Sequence, residues 1–186
     1  RVVVTGPGGT ITSAAAALTL TPPTFAAPTA DGYAPSAIGG GNATPVLVTT
    51  AATFKTLAES DSPAVLTIGG ILNLNTLDGG PVVRVNSKKT LQGLDDTSTV
   101  IGRLEIGTGK SDVIIRGLTL THPAGTPLVT SGASLVQVQN CTFFDGGDHL
   151  AKIVAGADNV TLAWNEFYFS STSLSPRDGL QIGADT

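Results

Sequence analysis

The chain has 186 residues, 41% of them apolar and only 13% charged, with a formal net charge of −4 at neutral pH. That is enough chain for one domain with its own core, and the composition excludes a disordered tail or a basic nucleic-acid binder. No apolar run approaches the roughly 20 residues of a membrane span, so no membrane partner is expected.

Residues 1–30 form an extended N-terminal segment with almost no charge. Residues 1–5 read as a short strand, Gly6-Pro7-Gly8-Gly9 as a turn, and residues 11–21 as a second extended stretch ended by Pro22-Pro23. So uncharged a stretch is too apolar for a solvated linker and is expected to pack on something. Residues 31–63 come next, a lead-in segment followed by one helix. Thr49 or Thr50 can cap Ala51-Ala52-Thr53-Phe54-Lys55-Thr56-Leu57-Ala58-Glu59, and Phe54, Leu57 and Ala58 share one apolar face. Ser60 to Pro63 end it.

From residue 64 to residue 186 the pattern turns to short β runs broken by Gly, Asn and Asp, and it repeats. Leu91, Ile115, Val138 and Leu162 stand 24, 23 and 24 residues apart. Leu94, Leu118, Cys141 and Asn165 keep the same register, so Cys141 and Asn165 are expected to point inward. A second series runs Val85, Ile106, Val129, Ile153 and Ile182. A repeat of two or three short strands cannot bury its own apolar face, whereas stacked repeats share interior ladders. The pattern therefore predicts an all-β solenoid with rungs of about 23–24 residues, capped by the helix and open at its C-terminal end. One cysteine excludes an intrachain disulfide, which leaves burial and hydrogen bonding to hold the fold. Low charge with abundant Gly, Thr and Ser suits a secreted protein. The start at Arg1, without a signal-like region, suits a processed or excerpted polypeptide. Sequons at Asn42, Asn140 and Asn159 are read as chance occurrences in a Thr- and Asn-rich chain.

Several ordered segments resemble the pectate and pectin lyase family. Gly32-Tyr33-Ala34 and Gly39-Gly40-Gly41-Asn42-Ala43-Thr44-Pro45-Val46 are similar to that family's lead-in. Asn86-Ser87-Lys88-Lys89-Thr90-Leu91-Gln92-Gly93 is similar to its "SNKTIxG" rung, and Ser111-Asp112-Val113-Ile114-Ile115-Arg116-Gly117-Leu118 to "SNVIIRNL". Val136-Gln137-Val138-Gln139-Asn140-Cys141-Thr142-Phe143 parallels "VWIDHCTF", and residues 156–165 parallel "GSDYVTVSWN". The resemblance covers residues 31–186 and implies a right-handed parallel β-helix.

It also implies where the family's chemistry would sit. Calcium pectate lyases remove the proton α to a uronate carboxyl, using cations to neutralise that carboxylate and an arginine as base. The resemblance assigns calcium ligands to the "WIDH" acid and to two acids spaced i, i+4. Those positions hold Gln139, Asp148 and Lys152 here, a degraded set, because calcium takes six to eight oxygens and several negative charges. Asp148, with Asp145, is what remains for a metal. Lys152 and Arg177 are the candidate substrate-binding cations, by analogy with the basic residues that replace calcium in pectin lyases. Asp178 stands where the family has a substrate-binding lysine, and the family's "RxPxxR" arginine would fall past Thr186, so no catalytic residue is assigned. A simpler reading pairs Lys152 with Asp148 on an exposed face. His122 and His149 lack a carboxylate at a telling spacing and read as solvated turn residues. Trp164 and Phe167-Tyr168-Phe169 read as core and turn packing rather than a sugar-stacking patch.

The expected function is therefore an extracellular, non-catalytic β-helix with a structural or head-to-tail assembly role, such as a filament subunit. In that role the near-uncharged residues 1–21 would add as strands to another copy's open end. No cofactor is expected, with calcium only if the degraded site is retained. The alternatives are the N-terminal half of a pectate or pectin lyase, and a non-catalytic module that binds an acidic polysaccharide.

Overall fold

In the computed structural model the described residues are 3–12, 34, 36–170 and 178–183. Strands β1 (Val3–Gly6) and β2 (Gly9–Thr12) form an antiparallel hairpin across Pro7-Gly8, pairing Val3 with Thr12 and Gly6 with Gly9. The second extended stretch thus begins at Gly9, and residues 13–21 lie outside the described residues.

Strand β3 (Val46–Val48) leads into helix α1 (Ala51–Glu59). Thr50 caps the helix, its hydroxyl accepting from Thr53 N at 3.3 Å. Phe54 and Ala58 are buried, so the helix closes one end of the coil. Just past it, the fully buried Lys89 donates to the carbonyls of Ser60 (2.7 Å) and Ser62 (2.6 Å). An ammonium can be buried here because the turn after the helix presents carbonyls that need donors.

Five rungs follow, three strands each. They are β4 (Ala64–Ile68), β5 (Ile71–Asn73), β6 (Val82–Arg84); β7 (Lys89–Gly93), β8 (Thr99–Ile101), β9 (Arg103–Ile106); β10 (Ser111–Arg116), β11 (Thr119–Thr121), β12 (Leu128–Ser131); β13 (Ser134–Gln139), β14 (Thr142–Phe144), β15 (His149–Val154); and β16 (Asp158–Ala163), β17 (Glu166–Tyr168), β18 (Asp178–Gly183). Equivalent strands pair in parallel. The sheets run β16-β13-β10-β7-β4-β3, β17-β14-β11-β8-β5 and β18-β15-β12-β9-β6. The architecture is a parallel β-helix, as the repeat predicts.

The first ladder holds as read, with Leu91, Ile115, Val138 and Leu162 in register and Leu66 extending it one rung earlier. Cys141 is buried, and the Asn165 amide is satisfied twice. Its Oδ1 accepts from Cys141 N and its Nδ2 donates to the Val138 carbonyl, both at 2.9 Å. The second series needs one correction. Thr130, not Val129, pairs with Ile106 and Ile153, and it is Thr130 that is buried. A one-residue slip in a strand reverses the facing of the side chain, and apolarity alone selected the wrong neighbour.

Turns repeat with the rungs. At the start of four first-sheet strands, β7, β10, β13 and β16, the chain takes a left-handed φ at Lys88, Asp112, Leu135 and Asn159 (59°, 63°, 52° and 52°). After β10, β13 and β16 it does so again at Gly117, Asn140 and Trp164 (60°, 50° and 58°). A strap of Ala34 and residues 36–42 crosses the outside of the first sheet. Ala34 N donates to Thr161 Oγ1 (3.1 Å) and Gln137 Nε2 to the Ala34 carbonyl (2.6 Å). Ile38 N and Gly39 N both donate to Asp112 Oδ1 (2.6 and 2.7 Å), and Gly40 N to Thr90 Oγ1 (3.0 Å). One segment so binds the rungs from β7 to β16.

Candidate functional site

Stacking in register gathers charge on the outer side of the third sheet. Asp148 stands just before β15, and Lys152 lies four residues on, an even spacing that puts both on one face. Lys152 Nζ reaches Asp148 Oδ2 at 2.8 Å, and the same oxygen accepts from Thr126 Oγ1 at 3.2 Å. His149 Nδ1 is 3.1 Å from Asp148 Oδ1, and its Nε2 is 3.8 Å from Asp178 Oδ2 on the next strand. The Lys152 ammonium foremost, then His149, hold the Asp148 carboxyl down at about 2. Asp148, His149, Lys152, Asp178, Leu180 and Gln181 line a groove of about 560 Å³.

The residues brought together differ from those the resemblance assigned. Gln139 ends β13 in the first sheet, in register with Arg116 and Ala163, whereas Asp148 and Lys152 belong to the third. The neighbour of Asp148 is Thr126, which sequence reading passed over. The 23-residue step from Thr126 to His149 was the available signal, but a lone threonine carries no metal-binding hint. Asp145 is committed elsewhere. Its two oxygens accept from Ser170 N (2.7 Å) and Ser170 Oγ (2.6 Å), which ties the turn after β14 to the end of β17. Arg177 lies outside the described residues.

This donor set does not fit calcium. A hydroxyl, one carboxylate and an ammonium present one negative charge, and the ammonium already occupies the carboxylate. Among the described residues no group of three or more His, Cys, Asp or Glu is arranged to hold a metal. What the arrangement offers is a compact ion pair flanked by an imidazole and a second carboxylate.

Three readings of single residues change. His149 does meet carboxylates, because folding brings Asp178 beside it. His122 is buried beside Arg103, and burial, then the guanidinium, lowers its basicity. Its neighbour Gly125 has no room for a Cβ, which would press on the imidazole at 2.9 Å. Trp164 is not a packing residue, being 86% exposed. Phe167 does pack, stacked on Phe143 with ring centroids 4.7 Å apart, and Tyr168 stacks on Phe144 at 5.7 Å.

No known family profile and no curated protein matches the sequence. Solved structures do match its fold. One is a pectate lyase studied for substrate specificity and an anti β-elimination mechanism (TM-score 0.70, 14% identity, 86% of this chain against 62% of that one). Another is a pectate lyase from Bacillus sp. N165 in complex with trigalacturonate (0.65, 14%, 84% against 56%). A third is an arginine-to-lysine variant of a Bacillus subtilis pectate lyase (0.65, 14%, 85% against 65%). The chain thus spans between 56% and 65% of the length of these structures. At this identity the likeness establishes a pectate-lyase-like parallel β-helix.

Proposed function

We propose that this β-helix is a non-catalytic relative in form of the pectate lyases, serving outside the cell as a structural scaffold. The observation that carries the reading is the 2.8 Å contact between Lys152 and Asp148. Elimination beside a uronate carboxyl needs positive charge free to meet that carboxyl, and here a cation and an acid cancel each other. Low charge with abundant Gly, Thr and Ser supports the extracellular part. The test is incubation with polygalacturonate or methylated pectin, with and without calcium. No unsaturated product absorbing in the ultraviolet is expected above buffer. Its steady appearance would replace this reading with a lyase.

The assembly role rests on a different observation. On β18, the last strand of the third sheet, Leu180 and Ile182 are 40% and 70% exposed. Covering them with a second copy would contribute about 1.5–3 kcal/mol per fully buried side chain before association costs. The covering surface would be a different one, so the contact would be heterologous and repeat head to tail. Sedimentation of the 186-residue chain tests it. Mass growing with concentration is expected, and a monomer throughout the micromolar range would remove assembly while leaving the non-catalytic reading in place.

A further inference from the structure

Trp164 is placed where an indole gains nothing from the fold. It follows β16, in the column that holds Gly117 and Asn140 in the preceding rungs, as the Arg116–Gln139–Ala163 register shows. All three take a left-handed φ, which glycine and asparagine tolerate and a bulky side chain does not favour. A strained backbone is usually offset by packing, yet this side chain is 86% exposed. Its large apolar face is therefore available to something outside the described chain.

The same bend carries a groove of about 570 Å³, whose lining includes Leu94, Asp95, Asp96, Leu118, Asn140 and Thr142. Its chemistry is mixed. Leu94 and Leu118 give an apolar floor, and Asn140 is exposed. Asp95 Oδ1 is occupied by Thr97 N and Thr97 Oγ1, leaving Oδ2 open. No lysine or arginine lines it. From Leu94 to the rung of Trp164 is three strand spacings, about 14 Å along the coil, the span of a short oligosaccharide.

We propose that this bend is a binding subsite for a neutral oligosaccharide, with Trp164, one rung beyond the residues that line the groove, stacking on a flat sugar face. Asn140, Thr142 and the acidic pair Asp95 and Asp96 meet its hydroxyls. Two carboxylates without a facing cation repel a polyuronate, so the subsite is distinct in ligand class as well as in place from the third-sheet groove. A partly apolar cleft with a few convergent polar groups is what a small polar ligand requires.

The chain has one tryptophan, so its emission reports this site alone. Cellotetraose should change that emission saturably, and calorimetry should show matching heat. Trigalacturonate should bind about tenfold more weakly or not at all. Trp164→Asn, which takes the residue of the preceding rung, should keep the unfolding midpoint and lose cellotetraose binding by about tenfold or more. Absence of saturable emission and heat with cellotetraose, equal binding by Trp164→Asn, or preference for trigalacturonate would each overturn the proposal. An emission change that follows protein concentration instead of sugar would assign Trp164 to contact between copies and overturn it equally.

Discussion

The outer faces of the first and third sheets share one strand geometry and treat polar side chains in opposite ways. On the first, Thr90, Asp112, Gln137 and Thr161 are spent on the backbone of the strap, and Gln137 is buried. On the third, Asp148 meets Thr126, His149 and Lys152, and His149 lies near Asp178, beside an open groove. A β-helix supplies polar ladders cheaply on every outer face, so a ladder by itself says little about function. Whether backbone or solvent lies against it is what separates a fastening from a site.

The largest expected effect lies between the two faces, at Cys141. Burial drives its thiol up from 9.0 to about 12, so at a given pH the thiolate falls by about a thousandfold. Native protein should resist a thiol reagent that labels it fully in denaturant. Fast native labelling would show that the ladder faces the wrong way.

The strap can be broken from either partner. A Cβ on Gly40 would run into the Ala64 carbonyl, and backbone cannot yield cheaply. Gly40→Ala should cost about 3 kcal/mol in denaturant unfolding. Asp112→Ala should cost about 2 kcal/mol, since one carboxylate oxygen serves two amides. If both variants unfold like the parent, the strap does not fasten the first sheet.

The third-sheet pair should matter less. Asp148 is 45% exposed on its side chain, so solvent screening keeps the Asp148–Lys152 coupling in a double-mutant cycle below about 1 kcal/mol. Its carboxyl sits near 2, below the ordinary 3.8, so the contribution is present above about pH 4. It should fade as pH falls through about 2. A coupling of several kcal/mol would mean that this face is sealed as firmly as the first.

Much of the fold was legible because rungs repeat. Leu91, Ile115, Val138 and Leu162 announce a ladder at fixed spacing, and Thr50 with Phe54 and Ala58 announces a capped helix. Thr130 was missed because a buried threonine beside Val129 looks like the outward partner. The site was less legible for a related reason. Spacing within a rung showed the Asp148–Lys152 pair, but Thr126 and Asp178 reach it from neighbouring rungs, and Gln139 leaves it because β13 and β15 belong to different sheets. Trp164 was misread since aromatic residues in β proteins are usually buried, and nothing local betrays a left-handed φ.

The most direct test of the central claim is calcium titration by calorimetry, comparing the parent with Lys152→Asp. The ammonium is what excludes the cation, so the parent should show no binding at millimolar calcium. Lys152→Asp, which puts two carboxylates at the spacing of the lyase pattern, should gain saturable heat. Saturable calcium binding by the parent would contradict the account, because Asp148 would then be free for a metal despite Lys152.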